Sequence, residues 1–464
     1  MENGNGSPGR WWTLLVVSAA QLLVVLDGTI VNIALPSAQE ALGLTDANRQ
    51  WAITAYALAF GGLLLIGGRI SGALGHRRAF MIGLLGFAAA SALGGAARDP
   101  LMLFGARALQ GAFAALLAPA GLSLLTTTFT ETRERGRAFG VFAAVGAAGS
   151  AIGLIAGGVL TEYTSWRWCL YINVPVALAA ALAVRFVPRD APARGRLDVP
   201  GAVLSVAGFA ALVYAFTEAE PRGWGSPVVV ALLAVGVLLL AAFAVVEHRS
   251  PQPLLPLRVL AHHARAGAFL AITLMFVAMF GFYLFMSYYT QLVLGYSPVR
   301  AGLALIINAV AALAGSTLIA GRLHGRVGPA ALVVPGLLAA AAGMFLLVWD
   351  PSTGLVPALL LTGLGLGCVL PPTASLATAG MRGHDIGAAS AAYNAAQQLG
   401  AALGVALLNT IASSATTSRS PEALVHGYTT ALTVALGILL VAACVASPLI
   451  TVHTRRSRST EGTA

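Results

Sequence analysis

The sequence predicts an all-α integral membrane protein with 14 transmembrane helices. Of its 464 residues 58% are hydrophobic and only 9% are charged, whereas a soluble domain of this size carries roughly 25% charged residues. The apolar residues fall in separate runs of about 20, enough to cross a hydrocarbon core of roughly 30 Å as a helix. The runs are continuous, without period-2 alternation, so helices and not a barrel must satisfy the backbone in lipid.

Each element follows from an apolar run bounded by polar, Gly/Pro or Arg-bearing breaks. The first run, 12–35, follows Arg10 and ends before Pro36. It exceeds the roughly 7–15-residue apolar core of a signal peptide and contains Asp27, which makes it an uncleaved first helix. The runs 50–69, 79–97, 101–127, 138–161 and 167–187 come next, interrupted by Arg69 to Arg78, by Arg98-Asp99-Pro100, by the charged stretch 131–137 and by Ser165-Trp166. Two further runs, 199–219 and 227–246, flank Glu220-Pro221-Arg222. The last six, 267–293, 300–321, 329–348, 354–379, 386–411 and 429–452, are parted by Ser297-Pro298, Arg322 to Gly328, Asp350-Pro351, Arg382 to Asp385 and Ser413 to His426.

The net charge is +10, and all 27 basic residues are Arg. They sit singly or in short clusters between apolar runs, which is the distribution of topology signals and excludes a nucleic-acid-binding face. With the N-terminus inside, 20 arginines fall on inner segments and six on outer loops, while Arg107 lies inside a helix. The expected location is therefore the inner (plasma) membrane, multi-pass, with both termini cytoplasmic. Cys169, Cys368 and Cys444 have no metal or disulfide spacing and are expected to be packing residues. No metal or cofactor is implied. A G-x-x-x-x-G-K-[S/T] loop requires Lys, which is absent, so nucleotide hydrolysis is excluded as an energy source. Without a His/Cys cluster or a long water-exposed domain, an enzyme is not expected.

The segment Gly68 to Gly75 recurs as Gly321 to Gly328, each copy closing an inward-running helix. Removing the two helices between 191 and 257 leaves six helices in 1–190 and six in 258–464, with the short loop at the same place in each. Transporters are commonly built from such repeats, with the substrate site at their interface near the midplane.

The helix interiors hold one clear acid, Asp27, and one clear base, Arg107. Each costs about 2.5–3.5 kcal/mol or more at the bilayer centre. Asp27 lies eight residues below Leu35, roughly 12 Å, and Arg107 six below Leu101, roughly 9 Å, so the two sit at similar depth. A carboxyl there feels opposing forces: burial favours its neutral form and a nearby cation its charged form. Two roles fit the pair: a site that loads and releases protons, or a structural ion pair locking two helices. Gly149, Gly153 and Gly157-Gly158 recur every four residues and offer one smooth face for helix contact or a hinge. Tyr283, Asn308, Asn394 and Gln398 are candidates to line a cavity; the last two share a helix face. Tyr288, Tyr289 and Gln291 lie near an outer helix end, where an interfacial aromatic belt explains them.

The string Leu26-Asp27-Gly28-Thr29-Ile30-Val31-Asn32 through Pro36 resembles the first-helix signature of the major facilitator superfamily, in its fourteen-helix drug:proton antiporter group. Arg107-Ala108-Leu109-Gln110-Gly111 is similar to that group's fourth-helix motif, whose Arg is implicated in proton transfer. Trp166-Arg167-Trp168 with Tyr171 to Pro175 resembles the start of its sixth helix, and Asp198 to Gly201 and Gly400 to Val405 also fit. The resemblance spans nearly the whole chain and adds Asn32 and Gln110 as cavity candidates. Gly68, Gly75, Arg77 and Arg78 match the loop motif after the second helix. That loop normally carries an Asp that helps latch the two halves, and here the position is Gly72, with Gly325 in the repeat. The fifth-helix motif normally reads Gly-Pro and here reads Gly153-Leu154.

The resemblance implies a monomeric exporter of small molecules such as drugs. With Asp27 the only firm acid inside the helices there is little to neutralise a dication, so the expected substrates are neutral or weakly charged and moderately apolar, such as an antibiotic made by the host. Alternating access would be driven by protons at Asp27 and Arg107. An importer or uniporter of a small metabolite fits the same scaffold.

Overall fold

The computed structural model describes residues 9–129, 131–188, 198–250, 262–323, 326–351, 353–379, 383–418 and 420–461. The helices are α1 (Gly9–Leu42), α2 (Trp51–Leu74), α3 (His76–Gly95), α4 (Pro100–Thr128), α5 (Thr132–Tyr163), α6 (Trp168–Tyr171), α7 (Asn173–Ala183), α8 (Val199–Arg222), α9 (Pro227–Arg249), α10 (His263–Tyr288), α11 (Pro298–Ala314), α12 (Gly321–Leu323), α13 (Ala330–Trp349), α14 (Leu355–Thr378), α15 (Gly383–Ala415) and α16 (Pro421–Glu461). Fourteen stretches among them are long and apolar enough to cross a bilayer, as the sequence predicts. The fold is an all-α membrane bundle. The proposed boundaries at 190/191 and 257/258 fall outside the described residues, as do Gly325, Arg382 and Arg419.

Several spans differ from their predicted extents, among them α2, which runs to Leu74 and not 69, and α5, which begins at Thr132 and not 138. α1 runs to Leu42 and not 35, with Pro36 inside it. A proline removes one backbone donor, but the following Ala38 is buried and holds the continuing turn in the core. α16 begins at Pro421 and not 429. The sixth span is split into α6 and α7 around Ile172, where Pro175 leaves the carbonyl four residues back without its helical donor.

The helices form two six-span sets with the same internal packing. In the first, α2 and α3 pack on α4, α1 on α5 and α7, and α3 on α7. In the second, α11 and α13 pack on α14, α10 on α15 and α16, and α13 on α16. Between the sets α5 meets α11 and α2 meets α15, the same pair of positions with the partners exchanged, as a pseudo-two-fold demands. α8 lies on α9, α2 and α15.

Glycines set the closest approaches. A Cβ on Gly111 would come within 2.3 Å of the Tyr56 carbonyl oxygen, and one on Gly363 within 2.3 Å of the Asn308 carbonyl oxygen. These are matching contacts in the two sets, second span against fourth. On α5, Gly149, Gly153 and Gly157 face α1, at Leu22, Thr29 and Ile30, while Gly158 turns to Pro298 and Val299 of the other set. The predicted single smooth face therefore serves two partners.

The α2–α3 turn needs Gly75, whose φ is +85°; Gly68 packs near Pro119. Arg77 donates to the carbonyls of Val184 and Arg185 at 3.1 and 3.2 Å, holding the end of the sixth span of its own set. Arg78 is exposed. A Cβ at Gly72 would meet no atom within 4 Å.

Candidate functional site

Asp27 lies mid-way along α1, with no exposed surface. Its Oδ2 accepts from Arg107 Nη1 at 2.5 Å. Its Oδ1 accepts from Gln110 Nε2 at 3.0 Å and from Asn173 Nδ2 at 2.9 Å. Arg107 and Gln110 are one helical turn apart on α4 and so point the same way, while Asn173 opens α7 at the break in the sixth span. Three donors on one carboxyl group suit a carboxylate, which can only accept.

Arg107, 1% exposed, has partners of its own. Nε donates to the Ala52 carbonyl at 2.8 Å, Nη1 donates to Gln110 Oε1 at 2.9 Å, and the guanidinium lies 4.5 Å from the centre of the Tyr56 ring. Gln110 Nε2 also donates to Ser91 Oγ at 2.8 Å. The cation therefore keeps two acceptors and an aromatic face if Asp27 is neutralised. That matters because an unpaired buried charge is costly. An apolar slot of about 10 Å³, lined by Ala34, Leu35, Ala52, Leu103, Trp166 and Cys169 among others, reaches Arg107; it has room for at most one water.

At the end of the bundle away from the chain termini, the two sets are tied together. Ser287 Oγ donates to the Asn32 carbonyl at 2.5 Å and Gln291 Nε2 to the Ile33 carbonyl at 3.2 Å. Tyr288 Oη donates to Gln39 Oε1 at 2.6 Å. Arg49 Nε donates to Asn409 Oδ1 at 3.1 Å, Asn409 Nδ2 donates to the Asp46 carbonyl at 2.7 Å, and the Arg49 guanidinium sits 4.0 Å over the Tyr288 ring. The Val299 amide donates to Glu162 at 3.0 Å. This far end is closed, with a cavity of about 240 Å³ bounded by Asp46, Arg49, Ser413 and Tyr428 on its surface. The aromatic-belt expectation is corrected here: Tyr288 and Tyr289 are buried, at 0% and 5% exposure. Their hydroxyls bind protein, Tyr289 donating to the Pro351 carbonyl.

The remaining cavity candidates are scattered. Neither cavity described above is lined by Asn32, Gln110, Tyr283, Asn308, Asn394 or Gln398. Asn32 is buried and donates to the Gly28 carbonyl of its own helix, and Gln110 belongs to the charged site. Asn308 accepts from Tyr283 at 2.7 Å and donates to the Leu359 carbonyl and to Thr362. Asn394 is exposed and donates to the Ser390 carbonyl, and Gln398 packs beside Gly61 on α2. Sequence reasoning met Asn173 only as part of the sixth-helix motif Tyr171 to Pro175, with no role for it, and did not single out Ser91 or Tyr56. A lone amide in an apolar run is the physical signal that could have given Asn173 a role.

Residues 17–405 match the Major Facilitator Superfamily. A puromycin resistance protein of Streptomyces alboniger is 54% identical, the match covering 98% of this chain and 94% of that one. A cephamycin export protein of Amycolatopsis lactamdurans is 38% identical, covering 94% and 92%. A multidrug efflux pump of Mycolicibacterium smegmatis is 34% identical, covering 87% and 81%. Among solved structures, a peptide transporter in complex with sulfate superposes with a TM-score of 0.69 at 18% identity, covering 97% of this chain and 96% of that one. A bacterial homologue of a human lysosomal transporter gives 0.67 at 17%, covering 96% and 98%. With fourteen spans, a doubled six-span plan and these relatives, the chain belongs to the Major Facilitator Superfamily.

Proposed function

We propose that the chain exports small, moderately apolar molecules, antibiotics such as puromycin among them, in exchange for protons. The observation that carries this is a carboxyl group with no exposed surface, ion-paired to an equally buried guanidinium at mid-helix depth, in a chain related over its length to antibiotic resistance and export proteins. Protonation removes the negative charge from Asp27 and loosens its hold on Arg107, which keeps Ala52, Gln110 and Tyr56. The energy difference between the two protonation states is what can bias one set of helices to rock against the other.

The arginine asymmetry supports cytoplasmic termini and a closed far end that faces outside. The six-span sets act as the rocking bodies, α8 and α9 link them, and a single copy suffices. With Asp27 as the one buried acid of the site, little is available to neutralise a dication, and neutral or weakly charged substrates are preferred.

Inside-out vesicles test this. With the lumen made acid, wild-type vesicles should accumulate puromycin, and Asp27→Asn vesicles should lose the pH-driven component while inserting normally. Robust pH-driven uptake by Asp27→Asn would refute the coupling, and expulsion of puromycin from an acid lumen would refute the direction. A susceptibility panel in an efflux-deficient strain extends the test to other compounds. Asp27-dependent resistance to a dicationic biocide would refute the charge preference.

A further inference from the structure

We infer that Asn173 is a positioning residue that serves both protonation states of Asp27, its amide donating to the carboxylate and, after rotation, accepting from the neutral acid; this rests on Asp27 being the proton site.

The three side chains that donate to Asp27 are not equivalent. Arg107 can only donate. Gln110 is committed at both ends, Oε1 accepting from Arg107 at 2.9 Å and Nε2 donating to Asp27 and to Ser91. Turning its amide over would set an NH₂ against the guanidinium. Asn173 is different. Its Nδ2 donates to Asp27, while its Oδ1 is buried without a hydrogen-bond partner, although the residue has no exposed surface. An orphaned buried acceptor is costly and asks for an explanation. The neighbouring carboxyl supplies one. When a proton from water bonds to a carboxylate oxygen of Asp27, that group changes from acceptor to O–H donor. A half-turn about the Asn173 Cβ–Cγ bond then presents Oδ1 to it. The half-turn breaks the Nδ2 bond to Asp27 and no other side-chain bond of Asn173. The break between α6 and α7 puts this residue where the helix is already interrupted.

The ionisable groups facing Asp27 are Arg107 from α4, Tyr56 from α2 and Cys169 from α6. All three remain in place in variants at 173, so a change in the pH response of the site reports the amide. A hydrogen bond to a charged group is roughly twice as strong as a neutral one. Losing Asn173 therefore penalises the carboxylate more than the acid.

The test is an infrared pH titration of the purified protein in lipid nanodiscs, which needs no substrate. The neutral-acid carbonyl band that disappears in Asp27→Asn identifies the group. In Asn173→Ala its midpoint should rise by about one pH unit, and the band should move to higher wavenumber as the acid loses its acceptor. Asn173→Leu, which keeps the shape and thus the fold, should raise the midpoint to a similar extent, because it offers neither donor nor acceptor and adds no ionisable group. Midpoints within about 0.3 unit of wild type in the variants that fold, with the band unmoved, would overturn the role of Asn173 while leaving Asp27 as the proton site. A spectrum with no band lost in Asp27→Asn would overturn both.

Discussion

Arg49 is one of the ties that close the far end, beside those of Ser287, Gln291 and Tyr288, and replacing it should shift the molecule toward opening on that side. Arg49 is 3% exposed in the loop between α1 and α2. Burial works against its charge, but Tyr288, Tyr428 and Asp46 hold the guanidinium above the ordinary arginine range, so it stays cationic at any working pH. Its contact with Asp46 at 2.9 Å is within one set of helices and does not count toward closure. The bonds across the divide are Nε to Asn409 and the stacking on Tyr288. A hydrogen bond to a charged group is worth about 1.5–3 kcal/mol and a desolvated cation–π contact about 2. Allowing for the Asn409–Asp46 bond that survives, Arg49→Ala should shift the balance by about 3 kcal/mol, roughly 100-fold toward the open state. Spin labels at Thr164 and Thr353, on far-end loops of opposite sets, report this as a gain in the long-distance population by electron–electron double resonance. If the wild type is about 1% open, the variant reaches about half. An open population that grows less than about threefold would refute this account of the closure.

Other substitutions separate packing from chemistry. Gly111→Ala should lower Tm and destabilise the fold by about 1–3 kcal/mol, because its Cβ meets the backbone oxygen of Tyr56, which cannot step aside. Gly72→Asp should leave Tm unchanged in a thermal-shift assay, since a Cβ there meets nothing within 4 Å. Asn308→Ala should cost about 1–3 kcal/mol by leaving the Tyr283 hydroxyl without its acceptor, while Thr362 keeps the Ala358 carbonyl, with the drug-susceptibility pattern unchanged apart from lower expression. Arg77→Ala should release the end of the sixth span, seen as faster hydrogen exchange at residues 184–187.

The spans were legible because lipid leaves a chain few options: every run of about 20 apolar residues must be a helix. Asp27 and Arg107 were legible for the same reason, since a charge in that medium stands out. Their depth was less so. The rule that a helix stops before proline placed the end of α1 at Leu35, and Ala38 carried it on to Leu42. Arg49 and Tyr288 were misjudged because a loop arginine and an aromatic near a helix end each have an ordinary explanation; only packing shows one lying on the other. Asn173 was hidden by being neutral.

The doubled plan gives the charged pair its context. Gly111 and Gly363 make the same contact in the two sets, and each lies four residues after the residue of interest, Arg107 in one and Leu359 in the other. By the same match Tyr56 corresponds to Asn308 and Gln110 to Thr362. The second set fills that place with the neutral cluster of Tyr283, Asn308 and Thr362, and it packs in the same pattern as the first. A charge at this position is thus not a condition of the fold. Burying a charged pair where the second set has Leu359 in place of the cation and only neutral groups around it costs stability, since replacing a buried pair with apolar residues is often neutral or favourable. The structural-lock role leaves that cost unexplained. A carboxyl that must take up a proton needs to be able to exist both charged and neutral in the same place. The guanidinium beside it, with acceptors of its own, allows both.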